Sequence, residues 1–281
     1  MALVAGNPEG LKRKDRLRGL IPRGLKDLLL AALTSDCVGK AVGWAFHDRI
    51  PCRGARIATS SRFVTARTKA EILFGVYERA EIDQALAYIA PGADALELGG
   101  SIGVNSVQIA GRLGPRDRLI VVEANPELCE LARENLARNR RGVRAVVVQA
   151  AVSYEGDGAA LAYEVREDSL RGAIAPAANA PAQVPAHAVT LRELVERFAL
   201  SDFFLVSDIE GGEAGLILMD REALQRAKRV IVELDPGCYA GRLISIEEQV
   251  ALIIEAGFRI EHRHGNRFVF DRLTSALRPT E

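Results

Sequence analysis

From residue 91 onward, the chain alternates between two spacings of apolar residues. Short, nearly continuous apolar runs such as "DALEL", "RLIVVEA", "FFLVS" and "RVIVELD" predict strands. The segments between them, such as "PELCELARENLARN", carry apolar residues three and four positions apart and predict helices. Strands that are apolar at successive positions are typical of a sheet covered on both faces. We therefore predict a mostly parallel α/β sheet with helices on both faces, closed by an antiparallel pair around Gly265 and Asn266.

The pattern before residue 91 is less regular. Residues 25–46 have apolar side chains at helical spacing and predict one helix, which packs either on the main domain or on a partner. Two short strands are expected near Arg56–Ala58 and Phe63–Thr65, followed by a helix that begins at Tyr77 and ends before Pro91.

These shifts in pattern divide the chain into three predicted parts. Residues 1–50 form a basic, partly helical extension, residues 51–90 form a lead-in that packs on the main domain, and residues 91–281 form that domain. Within the main domain, residues 155–186 are rich in Gly, Ala and Pro and interrupt the alternation of strands and helices.

Charge and cysteine content narrow the class of protein. The chain has 37 basic and 37 acidic residues, so as a whole it offers no field for nucleic acid. The four cysteines lack metal-ligand or redox spacing, which favours a cytoplasmic location. The predicted helix over 25–46 contains charged residues and is not expected to span a bilayer.

Basic residues are concentrated near the N-terminus. Around Asp15 the sequence places Lys12, Arg13, Lys14, Arg16, Arg18, Arg23 and Lys26. Such a cluster is typical either of a solvated terminus or of weak peripheral contact with an anionic surface such as lipid headgroups.

The stretch "ALELGGSIGVNSVQIA", residues 95–110, indicates where chemistry takes place. An apolar run containing Glu97 is followed by Gly99, Ser101 and Gly103, after which the apolar spacing becomes helical. A strand, a tight glycine turn and a helix start commonly hold a nucleotide. The spacing does not allow a G-x-G-x-x-G dinucleotide fingerprint, and the chain has no G-x-x-x-x-G-K-[S/T] phosphate loop.

Carboxylates mark the ends of the predicted strands, where ligands bind in open α/β sheets. Glu97 and Glu123 end two strands, "SDIEGGE" with Asp208 and Glu210 ends another, and Glu233 ends a fourth. An acidic edge repels pyrophosphate but suits S-adenosylmethionine, which brings ribose hydroxyls, an amino group and a sulfonium. The alternatives are a nicotinamide-dependent oxidoreductase and a non-catalytic scaffold with a nucleotide-binding fold.

The ordered motifs resemble the FkbM-type S-adenosylmethionine-dependent methyltransferases over roughly residues 74–270. The resemblance rests on Tyr77, Glu78 and Glu81, on Glu97 to Gly103, on "EANP" at Glu123–Pro126 with Leu131, Asn135 and Asn139, on Ala151–Ser153, on Asp208–Glu213 and on "VIVELDP". Two positions depart from the family pattern: Val206 stands where a lysine is frequent, and Ser101 stands where an asparagine is frequent.

The resemblance implies a class I, Rossmann-like methyltransferase fold, with a seven-stranded sheet whose last strand is antiparallel. It implies that residues 91–281 are catalytic and that S-adenosylmethionine is the cofactor. It further implies O-methylation of a small-molecule or glycan acceptor, namely a hydroxyl of a sugar, glycan, glycolipid or polyketide.

The strand ends and the resemblance together define the expected site. We expect Asp208 to be the acid of the pocket and Glu210 its partner or the general base. A divalent metal on Asp208, Glu210 and Glu233 is an alternative that no spacing demands, so no metal is predicted. The residues expected to bind the cofactor are Glu97, Gly99, Ser101, Gly103, Asn105, Glu123, Ala124, Asn125 and Ala151.

Overall fold

The computed structural model describes residues 23–139, 142–154, 161–165, 172–174, 183–209 and 211–273. The predicted residue Glu210 therefore lies outside the described residues, as does most of the 155–186 segment. None of the described helices is both long enough and apolar enough to cross a lipid bilayer.

A seven-stranded sheet organises the main domain. Its strands are β3 (Ala95–Leu98), β4 (Arg118–Glu123), β5 (Arg144–Gln149), β11 (Phe203–Ser207), β12 (Ala227–Glu233), β15 (Phe258–His264) and β16 (Arg267–Arg272). They lie in the order β15-β16-β12-β11-β3-β4-β5. Only β16 runs antiparallel to its two neighbours within this sheet. The prediction of a mostly parallel, seven-stranded sheet with an antiparallel last strand is confirmed.

Smaller pairings decorate the sheet. The additional strands are β1 (Arg49–Cys52), β2 (Ala55–Ala58), β6 (Ala151–Val152), β7 (Leu161–Val165), β8 (Gly172–Ile174), β9 (Gln183–Ala186), β10 (Ala188–Val189), β13 (Gly237–Tyr239) and β14 (Arg242–Ile244). The backbones of β7, β8 and β9 form a small antiparallel sheet within the segment that interrupts the main alternation.

Helices cover both faces of the main sheet. They are α1 (Arg23–Leu33), α2 (Asp36–Ala45), α3 (Ala66–Leu73), α4 (Arg79–Tyr88), α5 (Val104–Ala110), α6 (Pro126–Arg138), α7 (Leu191–Arg197), α8 (Glu213–Met219), α9 (Arg221–Leu224) and α10 (Ile246–Glu255). Successive residues of β4 alternate between two separate cores: Leu119 and Val121 belong to one, Ile120 and Val122 to the other. This alternation explains the nearly continuous apolar runs in the sequence.

The first ninety residues differ from the prediction in three places. The helix predicted over 25–46 is two helices, because Ser35 is extended and begins α2. The expected strand at Phe63–Thr65 is absent, and β2 instead forms a hairpin with β1. A further helix, α3, begins at Ala66 where the Thr65 side chain accepts the Thr68 backbone N–H. These errors arise at turns, where local hydrogen bonds override apolar spacing.

Candidate functional site

The glycine turn after β3 requires its glycines for two different reasons. Gly99 has a φ of +85°, and a Cβ there would lie 2.0 Å from the backbone oxygen of Asp208. At Gly103, also left-handed, a Cβ would lie 3.1 Å from the Cα of Ala132 on helix α6. Gly99 therefore lets the turn meet the end of β11, and Gly103 lets α5 start close against α6.

Glu97 is buried in β3 and organises the start of α5. One of its carboxylate oxygens accepts the Asn105 amide at 3.0 Å, and the other accepts the Ser106 hydroxyl. Burial raises the pKa of Glu97 to about 7, although both hydrogen bonds oppose this shift. Its two oxygens thus hold the start of α5 against β3 and fix the geometry of the turn, and its role in binding the cofactor stays a prediction.

Glu123, at the end of β4, is brought directly against the glycine turn. Its Oε2 accepts the Ser101 backbone N–H at 2.8 Å, and its Oε1 accepts the Asn125 backbone N–H at 2.7 Å. Burial raises the pKa of Glu123, while these backbone donors lower it. The carboxylate is thus held rigidly, and each oxygen keeps a second lone pair for a further donor.

Three other residues expected to bind the cofactor, Ala124, Asn125 and Ala151, lie near Glu123 and have local structural roles. The Asn125 side chain caps α6 by accepting the Glu127 backbone N–H at 2.9 Å, while its backbone N–H donates to Glu123 and its backbone carbonyl accepts the Cys129 N–H. Ala124 and Ala151 pack together as a small buried pair beside Glu123. They provide an apolar wall at the carboxyl ends of β4 and β5.

A narrow cleft extends from the glycine turn to the ends of β11 and β12. Its lining residues are Glu78, Glu81, Gln84, Glu97, Leu98, Gly99, Asn105, Val206, Ser207, Asp208, Ile231, Val232, Glu233 and Arg267. Five of these fourteen residues are Glu or Asp, and Arg267 is the one basic side chain in this described lining. A ligand of this cleft therefore meets negative potential and many hydrogen-bond acceptors.

Glu78 lines the cleft, although the sequence analysis gave it no role in the site. It adopts a left-handed φ of 46° at the start of α4, a conformation that is uncommon outside glycine and asparagine. Burial and the nearby carboxylates of Glu97, Glu81 and Asp208 raise its pKa to about 8, against a hydrogen bond with Tyr77. Strained backbone together with a raised carboxyl pKa is characteristic of functional sites.

Arg267 joins the far wall of the cleft. Its Nη2 lies 2.7 Å from Glu81 Oε1 and 2.8 Å from Glu233 Oε2, so one guanidinium pairs with carboxylates from a helix and a strand. Asn266 supports the same group by donating to Glu233 Oε1 at 3.0 Å. Arg267 belongs to no sequence motif. The only signal in the sequence was its position next to Asn266 in the predicted closing hairpin.

Carboxylate oxygens of Glu81, Asp208 and Glu233 lie within 4.8 Å of one another, a spacing compatible with a cation. Arg267 already pairs with two of these residues and supplies positive charge to the group. The metal set considered from sequence contained Glu210 instead of Glu81, and Glu210 lies outside the described residues. The absence of a metal therefore stays a prediction.

Asp208 lies where β11 meets the glycine turn. Its backbone N–H donates to Leu98 O at 3.1 Å, and its side chain is half-buried in the cleft lining. The loop after it is held by Glu213, which accepts backbone N–H groups from Ile209 at 2.7 Å and Gly211 at 3.0 Å. Glu213 therefore fixes the backbone of the loop that follows Asp208.

Comparison with known proteins finds likeness only at the level of solved structures. No family model and no curated protein matches the chain. A candidate rRNA methylase from Clostridium thermocellum is 8% identical, with 69% of this chain and 94% of that chain covered and a TM-score of 0.41. Precorrin-6y C5,15-methyltransferase from Geobacter metallireducens GS-15 is 13% identical, with coverages of 69% and 87% and a TM-score of 0.39.

A candidate tRNA (m1A22) methyltransferase from Streptococcus pneumoniae is 12% identical, with coverages of 69% and 72% and a TM-score of 0.39. Likeness at this level carries no argument about what this chain binds or methylates. The fold assignment rests on the strand order and directions of the sheet itself. Membership of the FkbM family stays a prediction.

Proposed function

We propose that the chain is an S-adenosylmethionine-dependent O-methyltransferase that acts on a hydroxyl of a sugar, glycan, glycolipid or polyketide-type molecule. The observation that carries this proposal is an acidic cleft that opens directly from a glycine turn on which Glu123 is rigidly held. In a class I methyltransferase sheet, this is the carboxyl edge at which ligands bind.

The lining fits a cofactor that is cationic and free of phosphate. The Asn105 side chain is 7% exposed, and its Oδ1 has no hydrogen-bond partner among the described residues. An orphaned acceptor among carboxylates is satisfied by a ligand that brings N–H donors, such as the amino group of a methionine moiety. A pyrophosphate would add negative charge to the same cleft, which disfavours the nicotinamide alternative.

Each part of the site has a role in the proposed reaction. S-adenosylmethionine supplies, when bound, a methyl group activated by its sulfonium. Glu123 accepts the ribose hydroxyls, and the pair Ala124 and Ala151 gives the adenosine an apolar surface. Asp208 accepts the proton of the acceptor hydroxyl as the new carbon–oxygen bond forms. The walls of the cleft align the reactants and exclude water.

The charges of the cleft also support a neutral acceptor. Arg267, the basic side chain of the described lining, is engaged by Glu81 and Glu233. A nucleic-acid acceptor needs cationic side chains to receive its phosphates, and the balanced composition offers no compensating field. A hydroxyl on an uncharged small molecule or glycan meets no such penalty. Glu210, expected from sequence as a partner of Asp208, keeps that role as a prediction.

Ligand-induced stabilisation tests the cofactor. We expect S-adenosylmethionine and S-adenosylhomocysteine, but not NADH, to raise the melting temperature. Glu123→Gln should weaken S-adenosylmethionine binding by about 1.5–3 kcal/mol, or roughly 10- to 150-fold by calorimetry, because a charge-assisted hydrogen bond is lost. Glu130→Gln changes an exposed carboxylate on helix α6, which follows β4. This variant is the control and should bind S-adenosylmethionine as tightly as the wild type. Stabilisation by NADH, or normal binding by Glu123→Gln, would contradict the proposal.

A further inference from the structure

The N-terminal helix α1 presents a leucine surface that the described part of the chain does not cover. Its large apolar side chains are Leu25, Leu28, Leu29, Leu30 and Leu33, and each is at least 41% exposed. Four of them, at positions i, i+3, i+4 and i+8, share one face of the helix. The sequence left open whether this stripe packs on the main domain, and these exposures favour an external partner.

Trp44 on the following helix is a further exposed apolar side chain. It is 82% exposed, the largest exposure among the large apolar side chains of the described residues. Lys40 lies one helical turn before it and lines the same shallow groove, together with His47. Tryptophan and lysine combine an apolar body with a polar or charged end, and both are typical of positions at a membrane–water interface.

The charge that precedes and begins α1 in the sequence indicates the occupant. The segment leading into α1 carries Lys12, Arg13, Lys14, Arg16 and Arg18 around Asp15, and two more basic residues, Arg23 and Lys26, lie in the first part of α1. Basic residues adjoining an apolar helical face are the combination that binds anionic headgroups and then inserts into the acyl boundary. We propose that the leucines of α1 and Trp44 form a surface that binds an anionic lipid bilayer peripherally. This inference does not depend on the proposed methyl transfer.

The test uses the full chain and two kinds of vesicle. One contains phosphatidylcholine with phosphatidylglycerol, and the other contains phosphatidylcholine alone. We expect co-sedimentation with the anionic vesicles at low salt and weaker binding at high salt. Because Trp44 is the single tryptophan of the chain, its emission should shift to shorter wavelength and be quenched by brominated lipid.

Two matched variants distinguish binding through this surface from nonspecific adsorption to vesicles. Leu28 and Leu243 are 68% and 69% exposed, and Leu243 lies outside α1, on β14. Leu28→Ser should lower vesicle binding by about tenfold, because one inserted leucine is lost, while Leu243→Ser should bind as the wild type does. Both sites are exposed, so unchanged melting temperatures should confirm that the variants are folded.

Several outcomes would overturn the proposal. A chain that stays in the supernatant with anionic vesicles at low salt has no such surface. Equal loss of binding in both variants would make the contact nonspecific. Dimers in sedimentation velocity that Leu28→Ser dissociates, with no vesicle binding, would assign the leucines to a second copy of the chain.

Discussion

The two ends of the cleft are built in different ways. At the glycine-turn end, Glu97 lines the cleft, while Ser101 and Glu123 belong to the adjoining turn and are not among the lining residues. Every carboxylate oxygen of the two glutamates has a donor within the protein. At the hairpin end, formed by Glu78, Glu81, Asp208, Glu233 and Arg267, one guanidinium pairs with two of the four carboxylates. The first end is organised before any ligand arrives, whereas the second gains most from a cationic ligand.

This difference assigns different tasks to the two ends. A preorganised carboxylate such as Glu123 gives affinity, because little reorganisation accompanies binding. At the hairpin end, burial and neighbouring carboxylates raise the pKa of Glu78 to about 8, so the acidic group around Asp208 contains one carboxyl that takes up a proton near neutral pH. Burial also raises the pKa of Glu97 to about 7, so a raised pKa is common to both ends. In the proposed reaction, the preorganised glycine-turn end contributes cofactor binding, and Asp208 at the hairpin end accepts the proton.

The largest expected effect tests the hairpin end. Asp208→Asn should lower kcat by roughly 10²- to 10⁴-fold, because the proton acceptor is removed, while the affinity for S-adenosylmethionine stays within about threefold. Single-turnover methyl transfer and calorimetry measure the two quantities. Asp235→Asn, which removes a neighbouring carboxylate outside the cleft lining, is the control. Loss of affinity equal to the loss of rate would show that the two ends do not divide their tasks.

The next effect tests the glycine-turn end. Gly99→Ala should lower the free energy of unfolding by about 3 kcal/mol, because its Cβ meets a backbone oxygen at 2.0 Å in addition to left-handed strain. Gly257→Ala also has a positive φ, of +94°, but no atom within 4 Å of the added Cβ, so it should cost only about 1 kcal/mol. Urea denaturation measures both. Equal costs would mean that the close approach to β11 adds nothing.

The smallest expected effect concerns pH. The pKa of Glu78 rises from 4.5 to about 8 on folding, so the folded state binds its proton more tightly and stability falls as pH rises between these values. Glu78→Gln should remove this part of the fall. It should raise the free energy of unfolding more at pH 8 than at pH 5.5, by about 1–2 kcal/mol, since partial exposure screens the group.

Urea denaturation at the two pH values gives this difference directly. The exposed carboxyl of Glu127 is the matched control, and Glu127→Gln should shift stability equally at both pH values. A Glu78→Gln variant with the wild-type pH dependence would remove Glu78 from the acidic group and leave the contrast between the ends to Asp208, Glu81 and Glu233.

Local chemistry in the sequence was sufficient for the glycine-turn end. Gly99 and Gly103 are left-handed as a tight turn requires, and Asn125 with Pro126 begins α6 as the "EANP" motif predicts. Glu123 follows from the same logic, since a residue that ends the neighbouring parallel strand must lie beside the turn. These features depend on a few consecutive residues and on parallel pairing, which apolar patterning reveals.

The hairpin end needed the tertiary structure. Glu81 and Arg267 are 186 residues apart, and their pairing depends on the closing hairpin entering the sheet beside β12. No spacing in the chain specifies that contact. The motif of Tyr77, Glu78 and Glu81 does not by itself say which way the two glutamates face.

By itself, then, the sequence determined the alternation of strands and helices, the glycine turn and the acidic strand ends, because each follows from short-range periodicity and backbone sterics. The tertiary structure decided which acids share one guanidinium and that the leucines of α1 are exposed. An amphipathic stripe has the same pattern whether it packs on its own domain or on a partner, so only the folded arrangement distinguishes the two.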